Sequence, residues 1–376
     1  GNRKRPRVPF EQFAEGLDDR EFRRRFRVDK QLFRRILDGV KDDLAKNEMQ
    51  AIRSSGSTIS PAWRLAITLR MLAGGDPAGV ADMAHVSDVT VWPVVAETVA
   101  SINRRFPLAD FDLMTAPRLE ELEAEFAARS GNVVRGCVGA VDGMAVCIRK
   151  PRSRECGGKP WHFYNRKGFY ALNLQAVCDS RKRFLAGSIR CAGSTHDSTA
   201  FDVSRLGIAL EDGRMLRPYW IAGDAAYRAS EFMVVPWPGR NLDVWKDSFN
   251  FWHSNCRITI ECAFGILTMR WGIFWRPLNC SITLSTQVVA ACMSLHNLCI
   301  DAGLDDRQID YMRGDGGDLA ERVPYDVELG GRLWADQGRS MQGRRTDLDV
   351  CPRRSEVTTA LQTAGLRRPA RSSFRY

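Results

Sequence analysis

The chain has 376 residues, enough for two or three domains of ordinary size, and its hydrophobic content of 44% is that of a globular protein. A formal net charge of +10 favours a polyanionic partner such as nucleic acid, although a solvated basic surface without a partner carries the same charge. The 11 cysteines form no C-x-x-C pair, which excludes a zinc finger, and we find neither a secretory signal nor an apolar stretch that suggests a membrane span.

Residues 1–20 form a basic N-terminal segment that contains the run Arg3–Arg7. This run is either a nuclear-import signal, which would place the protein in the nucleus, or a solvated chain end. From Glu21 onward apolar side chains recur at steps of three and four residues, which is the spacing of one helix face. We therefore predict a helical domain over residues 21–112. Its first apolar face comprises Phe22, Phe26, Leu32, Phe33, Ile36, Leu37 and Val40.

The middle of this domain has the outline of a helix-turn-helix. One helix is expected over Trp63–Ala73, and a short helix opens at Pro77 and ends near His85. After a turn, another helix continues through Val91–Ile102. Any small helical bundle gives the same pattern, so DNA reading by this block is one hypothesis beside plain packing.

Pro93 disturbs the last of these helices, because proline is tolerated in the first turn of a helix but not in its interior. Either the helix starts near Thr90 as its cap, or it is kinked. Thr90 is also a candidate DNA contact. Between Val89 and Ile102 the helix has no Arg or Lys, whereas base readers usually bring Arg, Lys, Asn or Gln. We therefore expect salt-sensitive, sequence-tolerant DNA binding and a second protein that chooses the site.

Strand patterns follow a connector helix within residues 113–134. Three strands are expected first, the second and third of which form a hairpin; a helix and a short buried strand follow, and two more helices come later. This succession predicts an α/β fold with a mixed sheet. The expected strands are Val138–Ile148, Tyr170–Cys178, Arg183–Arg190 and Tyr219–Ala222, and the expected helices are Ser198–Leu210, Ser248–Met269 and Ser285–Ile300.

The composition changes after residue 303. Asp, Arg and Gly dominate in stretches such as Arg313–Asp318 and Gly338–Arg345, and aliphatic clusters are few. We therefore predict a mostly disordered tail over residues 303–376. It ends in a second basic cluster, Arg367–Arg371.

Two aspartates interrupt or end apolar strands. Asp142 lies in the middle of the first strand, next to Gly143, and Asp224 follows the short strand that leads to Gly223. A buried carboxylate is costly unless it is paired or bound to a cation, and strand ends in an open α/β sheet are where ligands bind. The alternative is that each aspartate only caps the turn that follows it.

A glutamate on the long helix completes a set of three carboxylates. Glu261 shares one helix face with Arg257 and His253, which precede it at steps of four residues and are expected to support it. The alternative is a surface ion pair between Arg257 and Glu261. Converging carboxylates repel each other, and divalent Mg²⁺ or Mn²⁺ relieves that repulsion. Two such ions can clamp the attacking and leaving oxygens of a phosphodiester.

Several segments resemble the PIF/Harbinger superfamily of DDE transposases and the host proteins derived from them. The resemblance covers roughly residues 20–300. The matching segments are Gly139–Val146, Tyr164–Asn173, Gly193–Ser198, Gly223–Tyr227, Arg257–Gly265 and Leu295–Cys299.

The resemblance implies a ribonuclease H-like DDE nuclease domain, here over residues 135–302, with a catalytic metal triad of Asp142, Asp224 and Glu261. It also implies a Myb-like DNA-binding partner protein, because Harbinger-type transposases are typically paired with one. Two positions depart from the family pattern. Met144–Ala145 replaces a Thr-His pair, and Thr268 stands where a lysine is common.

The roles of two further groups stay open. Asp197 is either a fourth carboxylate of the metal site or the N-cap of the helix that follows it. Tyr164, Arg166 and Lys167 form either a DNA-backbone contact strip or a packed strand surface.

The sequence thus predicts a two-metal DNA endonuclease of the transposase type, which hydrolyses DNA and transfers strands. The expected partners are DNA, the Myb-like protein and, as an open option, further copies of the chain, but no membrane. The alternative function is a domesticated, non-catalytic adaptor at DNA or chromatin, against which the intact triad argues.

Overall fold

The computed structural model of the protein describes residues 8–46, 58–109, 114–304 and 351–369. Within these residues the helices are α1 (Phe10–Glu15), α2 (Asp19–Phe26), α3 (Lys30–Leu44), α4 (Pro61–Leu72), α5 (Pro77–Ala84), α6 (Asp88–Arg105), α7 (Ala116–Ala127), α8 (Asp197–Asp202), α9 (Arg205–Glu211), α10 (Val244–Arg270), α11 (Ile282–Asp301) and α12 (Pro352–Thr363). The strands are β1 (Cys137–Cys147), β2 (Ala171–Cys178), β3 (Phe184–Ala192), β4 (Trp220–Ala222) and β5 (Met233–Val234).

The described residues divide into two compact units, and each unit draws on three separate stretches of chain. The helical unit takes its residues from Gly1–Pro107, Cys147–Lys159 and Ile266–Tyr325. The sheet unit takes its residues from Leu108–Val146, Pro160–Gly265 and Asp326–Tyr376. The units therefore interleave along the chain, whereas our expected borders at 21–112 and 135–302 follow one another. In particular, α11 belongs to the helical unit.

The helical unit is built around α6. This helix packs against α3, α4, α5 and α11, and Val91, Val94, Val95 and Val99 are buried at the spacing expected for one helix face. An aromatic cluster closes the N-terminal side of the unit, where the Phe10 ring stacks on Phe33 at 4.8 Å and meets Trp63 edge-on at 5.3 Å. The segment from Phe10 is thus packed rather than frayed, while the basic run Arg3–Arg7 lies outside the described residues.

The helices from which the helix-turn-helix outline was inferred occur at the expected positions, with one correction. α5 ends at His85, which has a left-handed backbone (φ 49°), and α6 begins at Asp88 after Ser87. Thr90 therefore lies in the first turn of α6 and is not its cap, which excludes the first of the two alternatives that Pro93 left open. Pro93 lies inside α6. Whether this block reads DNA stays a prediction.

The sheet unit contains a five-stranded mixed sheet in the order β3-β2-β1-β4-β5, which confirms the expected α/β class. β2 and β3 form the predicted antiparallel hairpin, and β4 runs parallel to both β1 and β5. The register pairs Ala140 of β1 with Ala222 of β4. Asp142 and Asp224 each lie two residues beyond that pair, so the sheet brings both aspartates to the same region.

Three further elements differ from expectation. The predicted helix Ser198–Leu210 is two short helices, because the Ser204 side chain accepts the Gly207 N–H and starts α9. β5 is only two residues long and was not predicted. The tail, predicted to be mostly disordered, contains helix α12, whose Arg354 and Leu361 are buried; residues 305–350 lie outside the described residues.

α11 corrects the statement that no stretch suggests a membrane span. Among the described helices, this one is long and apolar enough to cross a bilayer by length and composition. Inside the structure 61% of its apolar window is buried, and α11 packs against α6. A buried core helix passes the same test of length and hydropathy.

Candidate active site

An open cleft of about 620 Å³ lies in the sheet unit. Its walls are the second half of β1, the turn after Tyr164, the segment that leads into α8, the segment that follows β4, and one face of α10. The side chains that matter chemically are those of Arg166, Lys167, Asp197, Asp224, His253 and Arg257. Cations and carboxylates therefore face each other across this cleft.

Asp142 and Asp224 are fixed by the backbone next to them. Asp142 is only 3% exposed; its Oδ1 accepts the Gly143 N–H at 2.8 Å, and its Oδ2 lies 3.3 Å from Nη1 of Arg257. Asp224 Oδ1 accepts the Ala226 N–H at 2.9 Å. The structure therefore brings together the two strand aspartates that the sequence singled out.

Both aspartates are electrostatically unfavourable as carboxylates. The pKa of Asp142 is raised to about 8, chiefly by burial; Arg257 and the Gly143 N–H oppose this rise, and the neighbouring Asp224 and Asp197 add to it. Burial also raises the pKa of Asp224, against the Ala226 N–H and Arg257. Because each of these shifts contains repulsion from another carboxylate, one more cation at this place would stabilise the ionised forms.

Glu261 lies next to Arg257 on α10, as the four-residue spacing predicts. Arg257 forms ion pairs with both Glu261 and Asp142, so a single guanidinium joins two members of the expected triad. The side chains of Arg257 and Glu261 are 21% and 19% exposed, which differs from the exposed surface pair considered as the alternative. The cleft wall includes Arg257 rather than Glu261 itself.

His253 supports the fold next to the site rather than Glu261. Its buried Nε2 donates to the Val234 carbonyl of β5 at 2.9 Å, and its ring stacks on Phe249. The pKa of His253 is lowered to about 4, chiefly by burial and to a smaller extent by Arg257 and Arg354, while the hydrogen bond to Val234 opposes the change. The imidazole is therefore neutral at physiological pH and ties α10 to the sheet.

The structure does not support the N-cap interpretation of Asp197. The N-cap position of α8 is His196, and no side chain caps this helix. Instead, Asp197 Oδ1 accepts hydrogen bonds from the side-chain amides of Asn173 and Gln175 on β2, both at 3.0 Å. Asp197 thus faces β1 and β2 next to Asp142, and its role as a metal ligand stays a prediction.

The lack of space around residue 143 explains why a glycine follows Asp142. A Cβ added to Gly143 would lie 2.6 Å from Nε2 of Gln175 and in collision with the Asp197 carboxylate. Any other residue would push Asp197 away from β1. The Asp-Gly pair therefore allows two carboxylates to approach one another.

Arg166 and Lys167 lie in the cleft wall, and their contact with DNA stays a prediction. The buried Asn165 side chain accepts the backbone N–H groups of Lys167 and Phe169 and so fixes this turn. Tyr164 is 49% exposed and packs edge-on against Tyr170 at 5.1 Å. The fourth candidate DNA contact, Thr90, belongs to the helical unit.

The donor chemistry of the cleft fits a divalent metal, although no ready-made site is formed. Among the described residues, no three Asp, Glu, His or Cys side chains are already arranged to hold an ion. Three aspartates nevertheless affect one another electrostatically here, and carboxylate oxygens are the ligands that Mg²⁺ and Mn²⁺ prefer. Asp142, Asp224 and Asp197, with Glu261 on the adjoining helix, are therefore the residues that could hold such ions.

Sequence reasoning missed the polar side chains beneath Asp197. Asn173 and Gln175 are buried on β2, and Tyr227 donates its hydroxyl proton to Gln175 Oε1 at 2.6 Å. Burial, together with Asp142, Asp197 and Asp224, raises the pKa of Tyr227 well above its usual value, so the hydroxyl keeps its proton. The available signal was the presence of two amides, two residues apart, inside an otherwise apolar strand.

Comparison with known proteins finds similarity to a family of endonucleases. Residues 141–297 match the family described as DDE superfamily endonuclease. The chain is 26% identical over 316 residues to the protein ALP1-like of Arabidopsis thaliana, which covers 79% of this chain and 74% of that protein. It is also 26% identical over 252 residues to the HARBI1 proteins of Bos taurus and Homo sapiens, covering 66% of this chain and 69% of each.

The HARBI1 relatives carry a name that describes them as candidate nucleases. No solved structure is significantly similar to the chain. The matched segment contains all four carboxylates discussed above. Residues 141–297 are therefore similar to a DDE superfamily endonuclease domain, and the chain as a whole is similar to the ALP1-like and HARBI1 proteins.

Proposed function

We propose that this protein is a divalent-metal-dependent DNA endonuclease of the transposase type, with a ribonuclease H-like core. Its metal ligands are Asp142, Asp224 and Glu261, and Asp197 is a fourth carboxylate of the same site. The single observation that carries the proposal is the parallel register of β1 and β4. This register puts the buried Asp142 and the half-buried Asp224, which repel each other, next to one cleft whose lining also includes Arg166, Lys167 and Arg257.

The side chains of the cleft have separable tasks in this proposal. The carboxylates hold two Mg²⁺ or Mn²⁺ ions, and the chemistry that such ions supply is activation of a water and stabilisation of the attacking and leaving oxygens. Arg166 and Lys167 bind the DNA backbone, because their charges attract phosphates without regard to sequence. Arg257 balances the negative charge of Asp142 and Glu261 and keeps both oriented.

Strand transfer is the second half of the proposal. After hydrolysis at one strand, the freed 3′ hydroxyl loses its proton and attacks a phosphodiester of target DNA. A new phosphodiester forms, the bond to the 3′ oxygen of the target strand breaks, and that oxygen leaves as a 3′ hydroxyl. The same cleft would serve both steps, because both need an anionic phosphate held against the carboxylates. The similarity of residues 141–297 to DDE superfamily endonucleases supports this step.

The polar side chains of α6 support the proposal that a partner protein chooses the DNA site. Ser101 donates to Asp43 at 2.7 Å, Glu97 is paired with Arg64 at 2.8 Å, and Thr98 is fully buried. Of the four polar groups between Val89 and Ile102, only Thr90 is left to reach DNA. A Myb-like partner would supply sequence choice and, together with the N-terminal basic run, nuclear location.

The decisive experiment is nicking of supercoiled plasmid by the purified full chain in Mg²⁺ or Mn²⁺. Alanine at Asp142, Asp224 or Glu261 should abolish nicking, while DNA affinity persists because phosphate contacts provide most of it. Nicking retained by Glu261→Ala, in protein free of contaminating nuclease, would refute the triad. DNA binding without nicking by the parent chain under all metal conditions would favour the non-catalytic adaptor instead.

A further inference from the structure

Asp197 is held by a buried set of polar side chains that the proposed function does not use. We propose that Asn173, Gln175 and Tyr227, here called the amide relay, are positioning residues that fix the Asp197 carboxylate in the cleft and thereby set the affinity of the site for divalent metal. This inference rests on the proposed function, since it assigns Asp197 to the same metal site.

The direction of every hydrogen bond in the amide relay follows from one backbone group. The Thr195 carbonyl can only accept, so the amide that lies 3.0 Å from it must be the Nδ2 of Asn173. The other proton of this amide goes to Asp197 Oδ1 at 3.0 Å. Oδ1 of Asn173 therefore faces Gln175 and must accept from it, at 2.7 Å.

Gln175 continues the chain of donors and acceptors. Its Nε2 gives one proton to Asn173 and the other to Asp197 Oδ1 at 3.0 Å, so its Oε1 points the opposite way. There it accepts the Tyr227 hydroxyl at 2.6 Å. Both amides thus use all their protons, and Asp197 Oδ1 receives two of them.

Burial makes this arrangement rigid. Asn173, Gln175 and Tyr227 are 7%, 3% and 3% exposed, so an unpaired group among them would lose a hydrogen bond that water could not replace. The Tyr227 ring is also fixed by edge-on contact with Phe201 at 5.5 Å. Gly143 supplies the space on the β1 side, where any Cβ would collide with Gln175 or Asp197.

Without the Tyr227 hydroxyl, Gln175 Oε1 has no donor in the relay and the amide can rotate. A rotated amide would turn its oxygen toward Asp197 and repel the carboxylate. The buried Tyr227 hydroxyl therefore controls the orientation of the Asp197 carboxylate, because Gln175 is hydrogen-bonded to both. Partners of this kind behind metal ligands typically contribute about 10–100-fold to metal affinity.

The test is isothermal titration calorimetry of Mn²⁺ into the full chain without DNA. Tyr227→Phe should weaken Mn²⁺ binding about fivefold, the equivalent of one neutral hydrogen bond. Gln175→Met should weaken it by about 10-fold or more. Tyr219→Phe is the matched control with unchanged affinity, because Tyr219 is also buried in the core but has Glu120 and Glu123 as its charged neighbours.

A second measurement separates positioning from folding. If the relay only positions Asp197, excess Mn²⁺ should restore plasmid nicking by both variants, and their affinity for DNA should equal that of the parent. Unchanged Mn²⁺ affinity in folded Tyr227→Phe overturns the inference, and this milder variant decides if Gln175→Met does not fold. Failure of the proposed metal site would give a different result in the same titration, because Asp142→Asn would then bind Mn²⁺ with the affinity of the parent.

Discussion

Asp43 in the helical unit and Asp142 in the sheet unit are the same residue type in opposite electrostatic surroundings. Asp43 accepts hydrogen bonds from Arg105, Ser101 and Arg104, which hold its pKa well below its usual range. Asp142 has Arg257 as its nearest cation and two further aspartates as neighbours, and burial raises its pKa to about 8. The neighbours of Asp43 therefore stabilise its ionised form, whereas burial and the neighbouring carboxylates destabilise the ionised form of Asp142.

The difference separates a carboxylate with a structural role, Asp43, from Asp142, for which we propose a role in metal binding. Around Asp43, two arginines and a hydroxyl serve a single carboxylate, so the local charge is satisfied within the chain. Around Asp142 the carboxylates outnumber the one paired cation, Arg257. A cation that is not part of the chain would therefore stabilise their negative charges. Burial combined with like charge, in a cleft, is the arrangement that marks ligand-binding and catalytic sites.

The largest expected effect is on catalysis. Asp142→Asn should reduce plasmid nicking by more than the roughly 100-fold that loss of one supporting partner causes. Asp43→Asn should leave nicking unchanged but lower the unfolding temperature, because three donors lose a charged acceptor. Initial nicking rates and thermal unfolding of the two variants, measured in parallel, check this. Equal loss of nicking in both variants would abolish the contrast.

The next effect is the pH dependence of stability at His253. Its pKa is about 4 in the folded protein and 6.5 when unfolded, so the unfolded state takes up a proton first as pH falls. The parent should lose up to about 3 kcal/mol of unfolding free energy between pH 6.5 and pH 4 from this group. His253→Gln should be less stable at pH 7 and lose less over the same range.

Urea unfolding of parent and His253→Gln at several pH values measures this difference directly. Subtracting the two curves removes the contribution of the other titrating groups, which both proteins share. A difference that does not change between pH 7 and pH 4 would show that His253 is not held neutral.

A smaller effect concerns the C-terminal helix. Arg354 of α12 is fully buried, with its guanidinium 4.0 Å from the centre of the Trp237 ring and Nη1 3.3 Å from the Pro236 carbonyl. Arg354→Ala should therefore reduce the free energy of unfolding by about 2 kcal/mol. Arg353→Ala is the matched control, because its pair with Glu356 is worth at most about 0.5 kcal/mol.

Chemical denaturation of the two arginine variants decides the role of α12. Equal stability of both variants would mean that α12 contributes nothing to the sheet unit. A large loss in Arg354→Ala alone would establish that the tail is part of the nuclease domain.

The smallest effects concern DNA affinity. Replacing Arg166 and Lys167 together by Ala should weaken binding to unrelated duplexes by the same factor. The slope of log affinity against log salt should decrease by the amount expected for the loss of about two phosphate contacts. Thr90→Ala should change affinity less than about twofold, because a single neutral contact contributes little beside the phosphates. Fluorescence anisotropy across a salt series measures both. Strong preference of the parent chain for one duplex at physiological salt would refute sequence-tolerant binding.

Local patterns in the sequence were sufficient for much of the fold. Two strand-like segments separated by a polar turn placed the β2–β3 hairpin, and the spacing of Val91, Val94 and Val99 placed the buried face of α6. Asp142 and Asp224 were predicted as site residues because each is a carboxylate within or at the end of an apolar strand. These features depend on neighbours in the chain, which a sequence displays.

Features that depend on distant residues were not predictable. The docking of α12 needs Trp237, more than a hundred residues earlier, so the polar composition of the tail misled us. Pro93 lies inside α6 despite its missing N–H, because packing of that helix on several others outweighs local preference. The contact of Asp197 with Asn173 and Gln175 depends on how α8 meets β2, which no spacing in the sequence reveals.

The most direct test of the account is thermal unfolding of the parent, Asp142→Asn and Asp43→Asn, each with and without Mn²⁺. We expect Mn²⁺ to raise the unfolding temperature of the parent and of Asp43→Asn but not that of Asp142→Asn, since binding to the folded state alone stabilises it. Without metal, Asp142→Asn should be at least as stable as the parent, because it removes a buried, repelled carboxylate. An Asp142→Asn protein that is less stable without metal, and that Mn²⁺ stabilises as much as the parent, would contradict the assignment of Asp142 to a metal-binding nuclease site.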